Sequence, residues 1–89
     1  MGPIGHELRR RIEAALSPTH LEIIDESAGH RGHGGHNPDG ESHMRVLIWA
    51  EAFAAMSRVE RTRAVLNAAG DLVSGGRIHA LSVEARKAD

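Results

Sequence analysis

The sequence predicts a single α+β domain, residues 1–89, with the element order α-β-β-α-β. Three observations lead to this prediction. Apolar residues recur at helical spacing in two segments, they alternate with polar residues in three others, and glycine and proline separate the segments. Two strands joined by a loop with no helix between them are most simply an antiparallel pair. We therefore expect a three-stranded mixed sheet with the helices on one face.

The first segment is predicted to be an amphipathic helix. Four apolar residues recur at every fourth position and form one stripe: Ile4, Leu8, Ile12 and Leu16. Pro18 ends this helix, because the residue before a proline avoids the helical conformation. Residues 19–26 then alternate and carry branched apolar side chains, which predicts the first strand.

A glycine-rich loop is predicted for residues 27–41. Five glycines, a proline and no aliphatic residue larger than alanine leave this segment unable to build a core of its own. A loop of about fifteen residues in a compact domain is usually either functional or disordered. Three histidines lie in this loop at intervals of three residues, His30, His33 and His36. His43 follows just after the loop.

The second half of the chain predicts a strand, a helix and a last strand. Residues 42–50 alternate most clearly, and a short turn at 51–56 precedes the helix. Ser57 and Glu60 have the spacing of a capping box at its start, and Gly75 and Gly76 mark its end. Its expected apolar face consists of Val59, Leu66, Ala69 and Val73. Residues 77–85 predict the third strand, which would contain His79, and the polar tail 86–89 is expected to fray.

Composition excludes several classes of function. The chain has no cysteine, which excludes disulfides, thiolate nucleophiles and metal sites built only from its own thiolates. Eleven Lys and Arg against twelve Asp and Glu give a net charge of −1, which argues against a dedicated binder of phosphate backbones. The N-terminal segment has charged residues within its apolar pattern, so we expect neither a signal peptide nor a membrane span. We therefore expect a cytoplasmic protein without membrane partners.

No catalytic pattern accompanies these features. The serines lack a nucleophile elbow, and no phosphate-binding glycine motif is present, so we expect a non-enzymatic protein. Arg61 and Arg63, with Arg58, form a small basic stretch on the second helix. A solvated helix face explains this stretch more simply than a nucleic-acid contact does.

Apart from carboxylate, histidine is the only strong type of metal ligand in the chain. Neutral imidazole suits zinc, copper and iron. The alternative for the three loop histidines is a polar, solvated loop. The alternative for His79 is a half-buried histidine whose ring nitrogens are satisfied by backbone groups. As a ligand, His79 would need a partner, and the histidine-rich loop could reach it if the last strand paired beside the first.

With these residues in view, the chain resembles the BolA family over essentially its whole length. The resemblance rests on four stretches, IDESAGH (24–30), GESHMRV (40–46), MSRVERTRAV (56–65) and IHALSVEA (78–85). It implies a fold similar to the class II KH domain. That fold agrees with the element order predicted from the residue pattern.

The resemblance also implies a partner and a cluster. BolA-like proteins pair with monothiol glutaredoxins as heterodimers and share a [2Fe–2S] cluster, to which the glutaredoxin contributes its cysteine and glutathione. On this resemblance His79 matches the ligand in the last strand motif and His30 the ligand in the loop, with His33 and His43 as alternates. No cofactor is expected on the isolated chain, because thiolates normally hold such clusters.

The resemblance has a second implication, a DNA-binding transcriptional regulator. Arg61 and Arg63 would then contact nucleic acid, although the family's Arg-His-Arg is Arg61-Thr62-Arg63 here. The chain lacks a GxxG motif with basic flanks, and its net charge is −1. We therefore rank this function below that of the glutaredoxin-binding adaptor.

Overall fold

The computed structural model describes residues 2–26 and 43–88. Helices and strands follow the predicted order, with a 3₁₀ helix in place of the predicted turn. They are α1 (Pro3–Leu16), β1 (His20–Asp25), β2 (His43–Ala50), the 3₁₀ helix (Glu51–Ala55), α2 (Arg58–Ala69), α3 (Asp71–Ser74) and β3 (Ala80–Lys87). The whole of the predicted loop, 27–41, lies outside the described residues.

The three strands form one mixed sheet in the order β1-β2-β3. β1 and β2 are antiparallel, and β2 and β3 are parallel. The prediction of an α+β domain with a three-stranded mixed sheet is therefore confirmed. β3 lies beside β2 and not beside β1, so the pairing of the last strand with the first, on which we based a loop ligand for His79, is wrong. The start of β3 lies next to the residue at which the loop ends.

One face of the sheet forms the core. Exposure alternates strictly along β2, in which Met44, Val46, Ile48 and Ala50 are buried while the residues between them are partly exposed. α1 packs its stripe against this face, with Leu8 and Ile12 fully buried. The remaining buried apolar residues include Phe53, Val65, Ala69, Leu72 and Ile78. Helices therefore cover one face, as the amphipathic pattern predicts.

The capping box at the start of α2 is confirmed, but the predicted apolar face is partly wrong. Ser57 accepts a hydrogen bond from the Glu60 amide, and the Glu60 carboxylate accepts one from the Ser57 amide. Val59 is 57% exposed, whereas Val65 is fully buried. The buried face of α2 therefore follows Val65 and Ala69.

The second helix ends earlier than predicted. α2 stops at Ala69, and Gly70 has a φ of +55°, which separates it from the short α3. A residue with a side chain is strained in this left-handed region, and glycine is not. Arg11 of α1 donates a hydrogen bond to the Ala69 carbonyl at 2.9 Å and binds the Asp71 carboxylate at 2.6 Å, which holds this break against the first helix.

β3 begins and ends later than predicted. Ile78 is buried ahead of the strand, and its amide donates to the Leu72 carbonyl at 2.7 Å. This bond ties the segment to α3, so the strand begins at Ala80 and His79 precedes it. Lys87 still belongs to the strand, so the first two residues of the predicted tail are ordered in the sheet.

Within the described ranges, no helix combines the length and apolar character needed to cross a membrane.

Candidate functional site

Two histidines meet at one end of the sheet. His43 is the first residue of β2, and its register partner in β3 is Ala80. Because the two strands are parallel, their first residues lie side by side, and His79 immediately precedes β3. The imidazole ring centroids of His43 and His79 are 5.6 Å apart, with an angle of 56° between the ring planes. Histidines that are 36 positions apart in the sequence thus form one pair.

The separation of these rings fits joint binding of a metal. Metal–nitrogen bonds of about 2.0–2.1 Å place the centroids of two imidazoles on one ion roughly 5–6 Å apart. The described residues hold no group of three or more His, Cys, Asp or Glu side chains that could bind a metal ion. The pair fits part of a metal site, and its remaining donors would have to come from elsewhere.

His79 is exposed, and His43 is partly exposed. The half-buried position considered for His79 is not observed. Because β3 starts one residue after it, the His79 ring lies outside the regular strand and is accessible from solvent. An accessible imidazole suits a site completed by a second molecule.

The histidine-rich loop begins and ends beside this pair. The Glu26 amide donates a hydrogen bond to the His43 carbonyl at 2.8 Å, which closes the base of the loop. His30 and His33 lie outside the described residues, so their assignment as ligands stays a prediction. The alternate His43 is the one histidine of the predicted set that the described residues bring next to His79.

An ion pair lies next to the loop base. Arg45 Nε donates to the Glu26 carboxylate at 3.1 Å, and both side chains are about two-fifths exposed. Their charges offset each other, so this pair adds little net charge beside His43. An exposed pair of this kind contributes little to stability.

The remaining described histidines lie elsewhere. His6 is exposed on α1. His20 lies at the far end of the sheet, where its ring contacts Trp49 edge-on at 5.0 Å and its Nε2 is 3.1 Å from Glu22. Neither can contribute to the pair formed by His43 and His79.

The two arginines considered for nucleic acid have different surroundings. Arg61 Nε donates to the carbonyls of Phe53 and Met56, at 3.0 and 3.1 Å, and so braces the 3₁₀ helix. Arg63 is exposed two positions further along α2, where it makes a small contribution to lowering the pKa of Glu60, behind the hydrogen bonds from Ser57. Residues two apart on a helix do not face the same way. Their role in binding nucleic acid stays a prediction.

Sequence reasoning missed a cleft between α2 and β3. It has a volume of about 470 Å³ and is lined by Arg58, Arg61, Thr62, Val83, Glu84, Ala85 and Arg86. The spacing of Arg58 and Arg61 indicates one helix face. Nothing in the sequence pairs that face with Arg86, because the contact depends on how α2 packs on the sheet.

Comparison with known proteins identifies the family. The family model for BolA-like proteins matches residues 12–89. A BolA-like protein of Dictyostelium discoideum is 38% identical over 87 residues, covering 97% of this chain and 72% of the relative. A Sinorhizobium protein described as an uncharacterized protein in the cobS 5' region is 45% identical over 78 residues, covering 86% of this chain and 83% of the relative.

Comparison with solved structures leads to the same family as comparison with related sequences. The BolA domain of SufE1 from Arabidopsis thaliana superposes with a TM-score of 0.84 and 36% identity, covering 98% of this chain and 94% of that domain. The family match spans most of the chain, and the fold agrees over nearly all of it. The resemblance found in the sequence motifs is thus confirmed, and the chain belongs to the BolA family.

Proposed function

We propose that this protein is a non-enzymatic adaptor that binds a monothiol glutaredoxin and helps to ligate a bridging [2Fe–2S] cluster. The observation that carries the proposal is the exposed pair of His43 and His79, with ring centroids 5.6 Å apart, at the base of the histidine-rich loop. Membership of the BolA family is consistent with a role in iron–sulfur metabolism. The cluster is cargo, to be assembled, passed on or sensed, and the chain supplies imidazole donors.

The chemistry of the chain supports a shared cluster. Iron–sulfur clusters are normally held by thiolates, and this chain has no cysteine. It can complete a cluster whose thiolates come from the glutaredoxin and from glutathione. Imidazole in place of thiolate lowers the negative charge around the cluster, which raises its reduction potential as in Rieske centres. Because a protonated imidazole cannot bind metal, ligation through histidine weakens as pH falls.

The choice of the second ligand separates two versions of the proposal. His79 is common to both. The family resemblance favours His30 as its partner, with His33 as an alternate, whereas the geometry of the described residues favours His43. In the first version His43 lies beside the ligands and supports them; in the second it binds iron itself.

Anaerobic reconstitution with a monothiol glutaredoxin, glutathione and iron tests the proposal, with visible circular dichroism as the readout. We expect a spectrum distinct from that of the glutaredoxin homodimer and its loss in His79→Ala. His30→Ala and His43→Ala decide between the two versions, because only the variant that removes a ligand will abolish the spectrum. His6→Ala is the matched control, since His6 is exposed, as His79 is, but lies on α1.

Two results would contradict the proposal. One is an unchanged homodimer spectrum with no heterocomplex on gel filtration. The other is a heterocomplex spectrum that persists in His79→Ala, in His30→Ala and in His43→Ala, which would mean that these histidines do not bind the cluster.

A further inference from the structure

The cleft between α2 and β3 lies away from the histidine pair. Arg58, Arg61 and Thr62 contribute from α2, and four consecutive residues of β3, 83–86, form the other wall. Glu84 is four residues along the strand from Ala80, a distance of roughly 13 Å at 3.3 Å per residue. A ligand in this cleft would therefore occupy a surface separate from the proposed cluster site.

The cleft is positively charged although the chain as a whole is not. Three arginines line it against one carboxylate, that of Glu84. Among the described residues Arg58 and Arg86 form no ion pair, and the hydrogen bonds of Arg61 go to backbone carbonyls. The arginines of α1 are different, because each has a carboxylate within 4 Å: Arg9 has Glu13, Arg10 has Glu7, and Arg11 has Glu7 and Asp71. Three of the five described arginines that have no carboxylate within 4 Å therefore line the cleft, and the other two, Arg63 and Arg77, lie outside it.

β3 is an edge strand, and the cleft runs along it. Within the described residues β3 pairs only with β2. Successive side chains of a strand point to opposite faces of the sheet. A wall made of four consecutive residues therefore follows the edge of the strand and not one of its faces. The amide and carbonyl groups along a free edge are a template for another extended chain.

We propose that this cleft binds an extended acidic segment of a partner protein, which adds to the sheet as a fourth strand along β3. Backbone hydrogen bonds to the edge would provide affinity, and acidic side chains would meet Arg58 and Arg86. Arginine pairs well with carboxylate because its planar guanidinium can donate two parallel hydrogen bonds. On β3, Glu84 and Arg86 are two residues apart and therefore share a face, so the segment carries Asp or Glu beside Arg58 and Arg86 and an uncharged residue beside Glu84.

Two features favour an acidic peptide over nucleic acid. Glu84 lies in the cleft wall and would repel a phosphate backbone, whereas an uncharged residue of a peptide can face it. The wall formed by 83–86 is also only roughly 10 Å long, which suits a few residues of a strand. The inference does not depend on the proposed role in cluster binding.

A fluorescein-labelled peptide of Thr and Val that carries Glu at two separated positions is the probe, and fluorescence anisotropy with the isolated chain is the measurement. We expect saturable binding that weakens with added salt. Arg58→Gln combined with Arg86→Gln should weaken it by about tenfold or more, because two charge-assisted contacts are lost. Both residues are exposed, so the variant is expected to fold. Arg61 is left intact because it braces the 3₁₀ helix.

Matched controls separate charge from strand addition. Arg77→Gln removes an exposed arginine outside the cleft and should leave binding unchanged. A peptide with proline in the middle keeps its charge but cannot complete the backbone pairing, so its binding should be much weaker.

Three results would overturn the proposal. The first is no saturable binding by the wild-type chain, which would mean that the arginines only discourage edge-to-edge pairing. The second is equal binding of the proline peptide. The third is a DNA oligonucleotide that displaces the peptide and loses its own affinity in the same double variant, which would assign the cleft to nucleic acid. Because no iron or glutaredoxin is used, these results do not depend on the proposed cluster ligation.

Discussion

Two valines on α2 provide the sharpest test of the packing. Val65 is fully buried, whereas Val59 on the same helix is 57% exposed. Truncation to alanine removes the same two methyl groups at both sites. At Val65 this loses about 1.5 kcal/mol of transfer free energy and adds a cavity term. Alanine's better helix propensity returns about 0.5 kcal/mol. We therefore expect Val65→Ala to lower the free energy of unfolding by about 2 kcal/mol.

The matched variant, Val59→Ala, should change the free energy of unfolding by no more than about 0.5 kcal/mol. In a domain of this size, a loss of 1 kcal/mol lowers Tm by about 4–8 °C, so Val65→Ala should melt roughly 8–16 °C below the wild type. Thermal melts by far-ultraviolet circular dichroism measure the difference, and urea titrations followed by the fluorescence of Trp49, the single tryptophan, give the free energies. Equal losses at the two sites, or a larger loss at Val59, would refute the assignment of the buried face.

Two further predictions concern the ends of the helices. Gly70→Ala should lower the free energy of unfolding by about 1–2 kcal/mol in urea titrations, because a residue with a side chain is strained at a φ of +55°; an unchanged midpoint would contradict this. Hydrogen bonds from Arg10 and Arg11 lower the pKa of Glu7 from its usual 4.5 to about 2. The resulting stabilisation is present above the unfolded-state pKa and is lost as pH falls from about 4.5 towards 2, so Tm should fall less steeply over this range in Glu7→Gln than in the wild type. Parallel Tm profiles would argue against these hydrogen bonds.

The local patterns predicted most of the fold, because each depends on residues close together in the chain. The stripe of α1, the alternation of β2 and the capping box at Ser57 all follow from spacing that a helix or strand imposes. The buried face of α2 was predicted wrongly because two local patterns fitted its sequence equally well. Val59 and Val65 belong to different but overlapping apolar faces of one helix, and only packing against α1 and the sheet selects between them.

The site was less predictable because it depends on strand pairing. No local signal states that β3 lies beside β2, and this pairing is what brings His79 to His43. The end of α2 at Gly70 was equally hard to predict. A glycine after two alanines is compatible with the interior of a helix, and only the contact between Arg11 and Ala69 shows where α2 ends. The motif resemblance predicted that His79 is a ligand, whereas its proximity to His43 became visible only from the pairing of β2 and β3.

The hydrogen bond between Glu26 and His43 also bears on how this protein can diverge. This bond, with 2.8 Å between the Glu26 amide nitrogen and the His43 carbonyl oxygen, holds the two ends of the connecting segment together. The pairing of β1 with β2 is therefore fixed whatever the number of residues between them. The entropy of closing such a segment grows only with the logarithm of its length, and doubling it costs about 0.6 kcal/mol. Relatives can therefore gain, lose or move histidines in this segment with little effect on stability. The histidines proposed as metal donors can therefore evolve almost independently of the core.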